Sequence, residues 1–222
     1  MALIKLEDLT KSFINGSTKT EVIHSTNLAV EAGSFLAMTG PSGSGKTTLL
    51  TLMGALQTPT KGAVYFKDQN IGALAEKERS KLRLDEFGFI LQASNLIPFL
   101  TVKEQLELVD RLQGKKRIEE QEELLKRLGI WEQRDHYISE LSGGERQRTA
   151  IARALYGEPK VLFADEPTAS LDRKRALEVI EMFVDLAHNE GMVIIMVTHD
   201  DRLLEYVDQV IYMVDGNLQP AE

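Results

Sequence analysis

Cysteine is absent from the sequence, and so are long apolar runs. Without cysteine the chain can form neither a disulfide framework nor a thiolate metal site. The longest apolar runs, such as Val193–Val197, are far shorter than the roughly 20 residues that a membrane helix needs. They are typical of buried parallel strands instead. If the protein acts at a membrane, another polypeptide must supply the crossing.

An excess of positive charge is lacking as well. The 222 residues carry 26 lysines and arginines against 34 aspartates and glutamates, a formal net charge of -8. This balance disfavours a broad basic surface on the protein, which sequence-independent binding to nucleic acid phosphates requires, so we expect no nucleic acid partner. The N-terminal segment shows no basic region followed by an apolar one, so no secretory signal is visible and we expect the chain to stay in the cytoplasm.

Strand and helix signals alternate in the second half of the chain, which predicts a parallel α/β sheet. They are a strand at 161–164, a helix at 173–189, and strands at 193–197 and 209–214. The first thirty residues differ, because short strand-like runs at 3–9 and 22–30 are separated by turn residues at 15–17. They predict a small separate sheet.

Residues 93–158 have a helical and polar pattern, which predicts an inserted helical lobe. Its first helix begins with a capping box formed by Thr101 and Glu104. A second helix, at 118–128, carries a run of glutamates that is most simply a solvated face. Two i,i+4 ion pairs are predicted on it: Glu122 with Lys126, and Glu123 with Arg127.

The strongest chemical signal is a glycine-rich loop between a predicted strand at 35–39 and a predicted helix at 46–56. This phosphate loop consists of Gly40, Pro41, Ser42, Gly43, Ser44, Gly45, Lys46 and Thr47, and Thr48 follows it. It matches G-x-x-x-x-G-K-[ST] in the context that the motif requires. Glycines let backbone N–H groups converge on phosphate oxygens, and the helix N-terminus adds positive potential. Lys46 would neutralise the β- and γ-phosphates and Thr47 would offer its hydroxyl to Mg²⁺, so the sequence predicts nucleoside triphosphate binding.

Two carboxylates, Asp165 and Glu166, follow the apolar strand that begins at Val161. Ligands of parallel sheets bind at the carboxyl ends of strands, so both acids are expected to face the phosphates. Asp165 suits Mg²⁺, directly or through water, while Glu166 is placed to polarise the attacking water. The alternative is an acidic turn at a strand end, especially as Pro167 follows.

The turn at 141–145, here called the Ser142 turn, opens another predicted helix. Ser142 and Glu145 are spaced as a capping box, and that local role is sufficient to explain them. Gly143 and Gly144 are not explained by it, because glycine costs helix stability. They indicate a close backbone approach to another group, for which an anion is the natural candidate. The structural and the binding interpretations both stay open on these residues alone.

The order of these motifs resembles the nucleotide-binding domain of ABC transporters over essentially the whole chain. The motifs are the phosphate loop, Gln92, the Ser142 turn, Asp165 with Glu166, residues 170–172, and His199. The resemblance implies an α/β fold: a P-loop NTPase ABC cassette with a parallel-sheet core, a small antiparallel β subdomain and an inserted helical lobe. It implies one ATPase domain over 1–222, with the nucleotide-binding core and β subdomain at 1–92 and 159–222 and the lobe at 93–158. It also implies ATP and Mg²⁺, and a head-to-tail homodimer in which the Ser142 turn of one subunit covers ATP held by the other.

The resemblance assigns roles to four further residues that have simpler interpretations. Phe13 would stack on adenine, where tyrosine is commoner, or it is a core aromatic at a strand end. Gln92 would bridge Mg²⁺ and the lobe, His199 would contact the γ-phosphate although a lone histidine is usually structural, and Asp172 would cross the dimer interface as well as capping the next helix. The family commonly has glutamine at the position of Glu145, a change that should leave activity intact.

Two segments outside the shared motifs, 83–92 and 198–206, narrow the resemblance to the macrolide-exporter and lipoprotein-release group of bacteria. Within that group they are most similar to the haem-efflux ATPases of Gram-positive bacteria. In the family, the apolar segment 93–100 helps to form the groove for a membrane permease, so contact near Gln92 to Leu100 is implied; on composition it is a packed connector. The expected location is peripheral, on the cytoplasmic face of the cell membrane. An alternative function is an ATP-driven module that controls a cell-wall hydrolase or a sensor without moving a solute.

Overall fold

The computed structural model describes residues 2–16, 18–92 and 94–220. Its strands are β1 (Ala2–Asn15), β2 (Thr18–Glu31), β3 (Phe35–Thr39), β4 (Lys61–Phe66), β5 (Gln69–Asn70), β6 (Phe87–Ile90), β7 (Val161–Asp165), β8 (Val193–Val197), β9 (Gln209–Val214) and β10 (Asn217–Pro220). Its α-helices are α1 (Lys46–Met53), α2 (Glu76–Glu86), α3 (Val102–Gln113), α4 (Ile118–Arg127), α5 (Gly143–Tyr156) and α6 (Arg173–Glu190). Short 3₁₀ turns lie at Ile71–Ala73, Trp131–Gln133, Ile138–Glu140 and Asp201–Tyr206.

The strands form two sheets. One is antiparallel, with the order β2-β1-β4-β5, and the other has the order β10-β9-β3-β8-β7-β6. In the second sheet every pairing from β9 to β6 is parallel, and only β10 is antiparallel to its neighbour β9. These findings confirm the predicted parallel-sheet core and the small antiparallel sheet.

Alternation along the parallel strands divides the core into two clusters, because successive strand residues point to opposite faces of a sheet. Phe35 and Ala37 of β3 join the cluster that α3, α5 and α6 cover. Leu36 and Met38 join the cluster with α1 and the antiparallel sheet. Every residue of β7 and β8 is buried, as expected for strands covered on both faces.

The segment between β6 and β7 is helical, and a buried polar network ties its helices together. Tyr156 at the end of α5 places its hydroxyl oxygen 2.8 Å from a carboxylate oxygen of Asp110 on α3. Arg117, which precedes α4, donates from Nε to the other carboxylate oxygen of Asp110 over 2.9 Å, and its guanidinium lies over the Tyr156 ring. All three side chains are buried, so α3, α4 and α5 are held as one unit.

Several local predictions are confirmed and one is wrong. Both capping boxes form, at Thr101 with Glu104 and at Ser142 with Glu145, and Lys126 contacts Glu122 at 2.6 Å. Arg127, however, pairs with Asp185 of α6 at 2.8 Å rather than with Glu123, because the fold brings the Asp185 carboxylate within reach of the Arg127 guanidinium.

The described part of the chain has no helix that is long and apolar enough to cross a membrane. The predicted turn residue Ser17 and the first residue of the segment 93–100, Ala93, lie outside the described residues, as does Met1.

Candidate functional site

The carboxyl ends of four parallel strands bring the predicted phosphate and acid residues to one edge of the sheet. β3 ends immediately before the phosphate loop, and β7 ends at Asp165. β6 is followed by Gln92, and β8 by His199. A cavity of about 460 Å³ lies at this edge. Its lining includes Gly40, Ser42, Gly43, Gly45, Lys46, Thr47, Thr48, Gln92, Asp165, Glu166 and His199.

The glycines of the phosphate loop are required by close contacts and by backbone conformation. A Cβ atom on Gly40 would lie 2.1 Å from the carbonyl oxygen of Met213 on β9, and Gly40 has a φ of 133°. Gly45 has a φ of 103°, and a Cβ there would meet Ile23 and Met213 side-chain atoms at 2.9 Å. Gly43, with a φ of 79°, faces open space. The loop is therefore packed tightly against β9 at its start and open towards the cavity at Gly43.

The Lys46 side chain folds back over the phosphate loop. Its ammonium donates to the carbonyl oxygens of Gly40 at 2.8 Å and Pro41 at 2.7 Å, and it lies 3.4 Å from the Ser44 hydroxyl. Ser44 itself is buried, so it supports the loop from behind rather than lining the cavity. The cation is thus held at the mouth of a curved loop whose backbone surrounds a space suited to an anion.

Thr47 and Asp165 form the acid and hydroxyl pair that a hydrated divalent cation would need. The Thr47 hydroxyl donates to a carboxylate oxygen of Asp165 over 2.7 Å, and Asp165 is only 4% exposed. No group of three or more His, Cys, Asp or Glu side chains that could hold a metal ion occurs within residues 2–16, 18–92 and 94–220. Mg²⁺ is usually held by one or two carboxylates together with substrate phosphates and water, and this donor set fits that chemistry.

Glu166 and His199 form an ion pair at the rim of the cavity. Nδ1 of His199 lies 2.8 Å from a carboxylate oxygen of Glu166. This hydrogen bond, reinforced by the negative charge of Glu166, raises the pKa of His199 above its ordinary value. The Glu166 backbone has a φ of 53°, in the left-handed region, and its N–H donates to the carbonyl oxygen of Val197 over 3.0 Å. The turn after β7 thus directs the Glu166 carboxylate towards the cavity.

The cavity lining also includes three apolar residues that were not predicted from the sequence: Val22, Ala169 and Val197. Val197 ends β8, so the strand-end rule that selected Asp165 would also have selected it. Val22 lies on β2, far away in the sequence, and only the packing of the antiparallel sheet against the phosphate loop brings it there.

The Ser142 turn does not line this cavity. The Ser142 hydroxyl accepts from the backbone N–H of Glu145 over 3.3 Å, and a carboxylate oxygen of Glu145 accepts from the Ser142 N–H over 2.8 Å. These bonds lower the pKa of Glu145. A Cβ atom on Gly143 would meet nothing within 4 Å, and one on Gly144 would meet only ordinary contacts from 3.4 Å outwards. No residue that the structure describes therefore requires glycine at Gly143 for space.

Phe13 and Asp172 also lie outside the cavity lining. Phe13, on β1, is 42% exposed, with the Lys11 ammonium 5.0 Å from its ring centre. It is therefore not a core aromatic. Asp172 caps α6 by accepting from the Arg175 N–H over 3.0 Å, and this hydrogen bond lowers the pKa of Asp172. The local capping role predicted for Asp172 is thus present.

Sequence comparison gives a family match with the description ABC transporter over residues 23–169. A protein of Staphylococcus haemolyticus, named as a hemin import ATP-binding protein HrtA, is 45% identical over 97% of this chain and 99% of its own length. This name gives import as the direction of transport, whereas the resemblance carried by segments 83–92 and 198–206 is to haem-efflux ATPases.

Solved ABC cassettes share the fold. The dimeric structure of MJ0796, described as a bacterial ABC transporter cassette, superposes with a TM-score of 0.94 at 34% identity, covering 99% of this chain and 97% of its own. A second dimeric MJ0796 structure, with a TM-score of 0.93, is a post-hydrolysis state bound to ADP and Pi. CbiO1 of Clostridium perfringens, part of the ABC transporter complex cbiONQ, gives a TM-score of 0.83 at 30% identity, covering 98% of this chain and 87% of its own. The chain therefore belongs to the ABC transporter family, as an ATP-binding and ATP-hydrolysing subunit.

Proposed function

We propose that this subunit holds Mg²⁺-ATP in the cavity at the edge of the parallel sheet, and that hydrolysis there drives transport through a separate membrane permease. The observation that carries the proposal is the convergence of the phosphate loop, the Thr47 and Asp165 pair and the Glu166 carboxylate on one cavity. Their positions follow from the strand ends, where open α/β sheets bind ligands.

Each group in the cavity has a chemical role that its surroundings support. Backbone N–H groups of the phosphate loop and the Lys46 ammonium bind the phosphates, with Lys46 exchanging its loop carbonyls for phosphate oxygens. Thr47, Asp165 and Gln92 hold Mg²⁺. When bound, Mg²⁺ neutralises charge on the phosphates. Glu166 orients the attacking water and accepts its proton, and His199 donates a hydrogen bond to the γ-phosphate.

Two copies complete the site. The Ser142 turn presents a helix N-terminus, and helix N-termini bind anions. Its two glycines are not required for space by any contact among the described residues. In the proposed dimer, Ser142, Gly143, Gly144 and Glu145 cover the ATP of the partner subunit, and Asp172 crosses the interface. Phe13 is 42% exposed, and we propose that its ring stacks on adenine. The dimeric MJ0796 structures support the homodimer on which this proposal depends.

The permease contact is proposed near Gln92 to Leu100, which places the subunit peripherally on the cytoplasmic face of the membrane. Phe99 is 75% exposed there, an apolar side chain suited to a protein partner. CbiO1 offers a parallel, because it is part of a transporter complex. The similarity to transporter subunits favours transport over the alternative of a transmission module.

Substitution of Glu166 tests the hydrolytic role. Glu166→Gln should lower ATP turnover at least 100-fold with the permease present, because an amide cannot accept the proton. Glu158→Gln is a matched control, since Glu158 precedes β7, has a similar φ of 55° and lies outside the cavity lining. Undiminished turnover in Glu166→Gln, or an equal loss in both variants, would contradict the proposed role.

Haem is the proposed substrate, and efflux the proposed direction. Deleting the gene for this subunit should then sensitise its host to hemin in the medium, and re-expression should restore tolerance. Import, the direction in the names of the curated relatives, predicts instead that deletion abolishes growth on hemin as the iron source. Unchanged growth in both assays would exclude haem as the substrate.

A further inference from the structure

The segment after Gln92, residues 94–100 and here called the connector loop, is held at its start by an arginine of α5. Arg153 donates from Nη1 to the carbonyl oxygen of Asn95 over 2.8 Å and from Nη2 to that of Ser94 over 3.2 Å. Asn95 has a φ of 48°, in the left-handed region. Burial lowers the pKa of Arg153. The half-buried guanidinium of Arg153 thus binds the backbone of the connector loop through two hydrogen bonds.

The far part of the connector loop is held by a glutamine of α3. Gln105, which is fully buried, accepts from the backbone N–H of Ile97 over 3.2 Å. Its amide nitrogen donates back to the carbonyl oxygen of Ile97 over 2.7 Å and lies 3.5 Å from that of Leu100. Because both polar atoms of this buried amide are used, the geometry of the loop around Ile97 is fixed to α3.

The two holding residues belong to helices that pack against each other. α3 and α5 share one buried core and the Asp110 and Tyr156 network, so we expect the two helices to move as one unit. α5 begins at the Ser142 turn, and Arg153 lies roughly 15 Å further along the same helix at a rise of 1.5 Å per residue. One rigid helix therefore connects the turn proposed to cover the partner's ATP with the loop proposed to contact the permease.

We propose that Arg153 and Gln105 are positioning residues that fix the connector loop to the helical segment, so that movement of the Ser142 turn on ATP binding also moves the permease contact. This inference rests on the proposed function, because it assumes that the connector loop contacts the permease. Neither residue lines the nucleotide cavity, so the loss of either one should uncouple the permease without removing hydrolysis.

The test compares ATP turnover of the isolated subunit with that of the subunit assembled with its permease in lipid vesicles. Arg153→Met and Gln105→Met remove the polar groups and keep an unbranched, flexible apolar side chain at each position. Arg134→Met and Gln121→Met are the matched controls, since Arg134 donates to the Trp131 carbonyl and buried Gln121 to the Lys103 carbonyl, both away from the connector loop.

Both test variants should keep the ATP turnover of the isolated subunit within twofold of wild type. The increase in turnover that the permease produces should be at least fivefold smaller than in wild type. Arg153→Lys should recover part of that increase, because an ammonium can bind one of the two carbonyls. Normal permease stimulation in folded test variants, or equal losses in the controls, would overturn the proposal.

Hydrogen–deuterium exchange on the isolated subunit gives a second readout that needs no permease. The Ile97 amide hydrogen should exchange at least tenfold faster in Gln105→Met, and not in Gln121→Met, because Gln105 is its acceptor. Unchanged exchange would overturn the proposal even if a variant resists assembly. A wild-type subunit that the permease fails to stimulate would refute the proposed function instead, and the exchange result would still judge the loop attachment.

Discussion

Replacing Thr47 with valine keeps the side-chain volume but removes the hydroxyl that donates to Asp165 over 2.7 Å. Asp165 is 4% exposed, so water cannot readily replace the lost donor. A hydrogen bond to a charged group contributes about 1.5–3 kcal/mol, and we expect Thr47→Val to lower the free energy of unfolding by roughly 2 kcal/mol. With a urea slope of about 2 kcal/mol per molar, the unfolding midpoint should fall by about 1 M.

Thr47→Ser is the matched control, because it keeps the hydroxyl and loses only a methyl group. It should stay much closer to the wild-type midpoint than Thr47→Val. The two variants should also differ with nucleotide: ATP with Mg²⁺ should raise the melting temperature of Thr47→Ser more than ATP with EDTA, whereas Thr47→Val should lose that difference. A Thr47→Val protein within about 0.5 kcal/mol of wild type would refute the energetic reasoning. A retained Mg²⁺ effect would refute the proposed ligand role.

Two further predictions concern the same edge of the sheet. Gly40→Ala should destabilise the fold by about 3 kcal/mol in urea unfolding, because its Cβ would lie 2.1 Å from the Met213 carbonyl oxygen. Gly43→Ala meets open space and should cost only about 1 kcal/mol; equal losses would contradict the packing argument. Glu166→Gln should lower the pKa of His199 in an NMR titration, because the carboxylate raises it. Since the folded-state pKa is raised, the pair stabilises the fold below the ordinary histidine value of 6.5 and loses this contribution as pH rises through the raised pKa. An unchanged His199 titration would contradict this.

The site residues that could be predicted from the sequence are those that a motif or a neighbouring strand or helix identifies. Glycine and lysine spacing predicted the phosphate loop, and the strand-end rule predicted that Asp165 and Glu166 face it. The capping boxes were predictable for the same reason. Gln92 and His199 needed the family resemblance, because a single polar residue after a strand has no local signature.

The helix, the ion pair and the glycine requirement that could not be predicted from the sequence each have a physical reason. α2 was missed because none of its residues is buried, so it carries no apolar period to detect. Arg127 pairs with Asp185 instead of Glu123 because the fold brings a carboxylate that is distant in sequence within reach of its guanidinium. In the same way, the need for glycine at Gly40 arises from the carbonyl of Met213, which reaches the loop only when β9 pairs with β3.

The positive φ of Glu166 shows why a left-handed backbone conformation cannot by itself identify a functional residue. A positive φ on a residue other than glycine costs about 1–2 kcal/mol, and Glu158 at the other end of β7 has it too. Glu158 is exposed and outside the cavity, where it contacts Lys115 at 3.4 Å. Glu166 differs because its carboxylate reaches the cavity and holds His199 at 2.8 Å. The cost in stability is therefore informative only together with what the side chain contacts, and at Glu166 those contacts are the ones that its proposed role in hydrolysis requires.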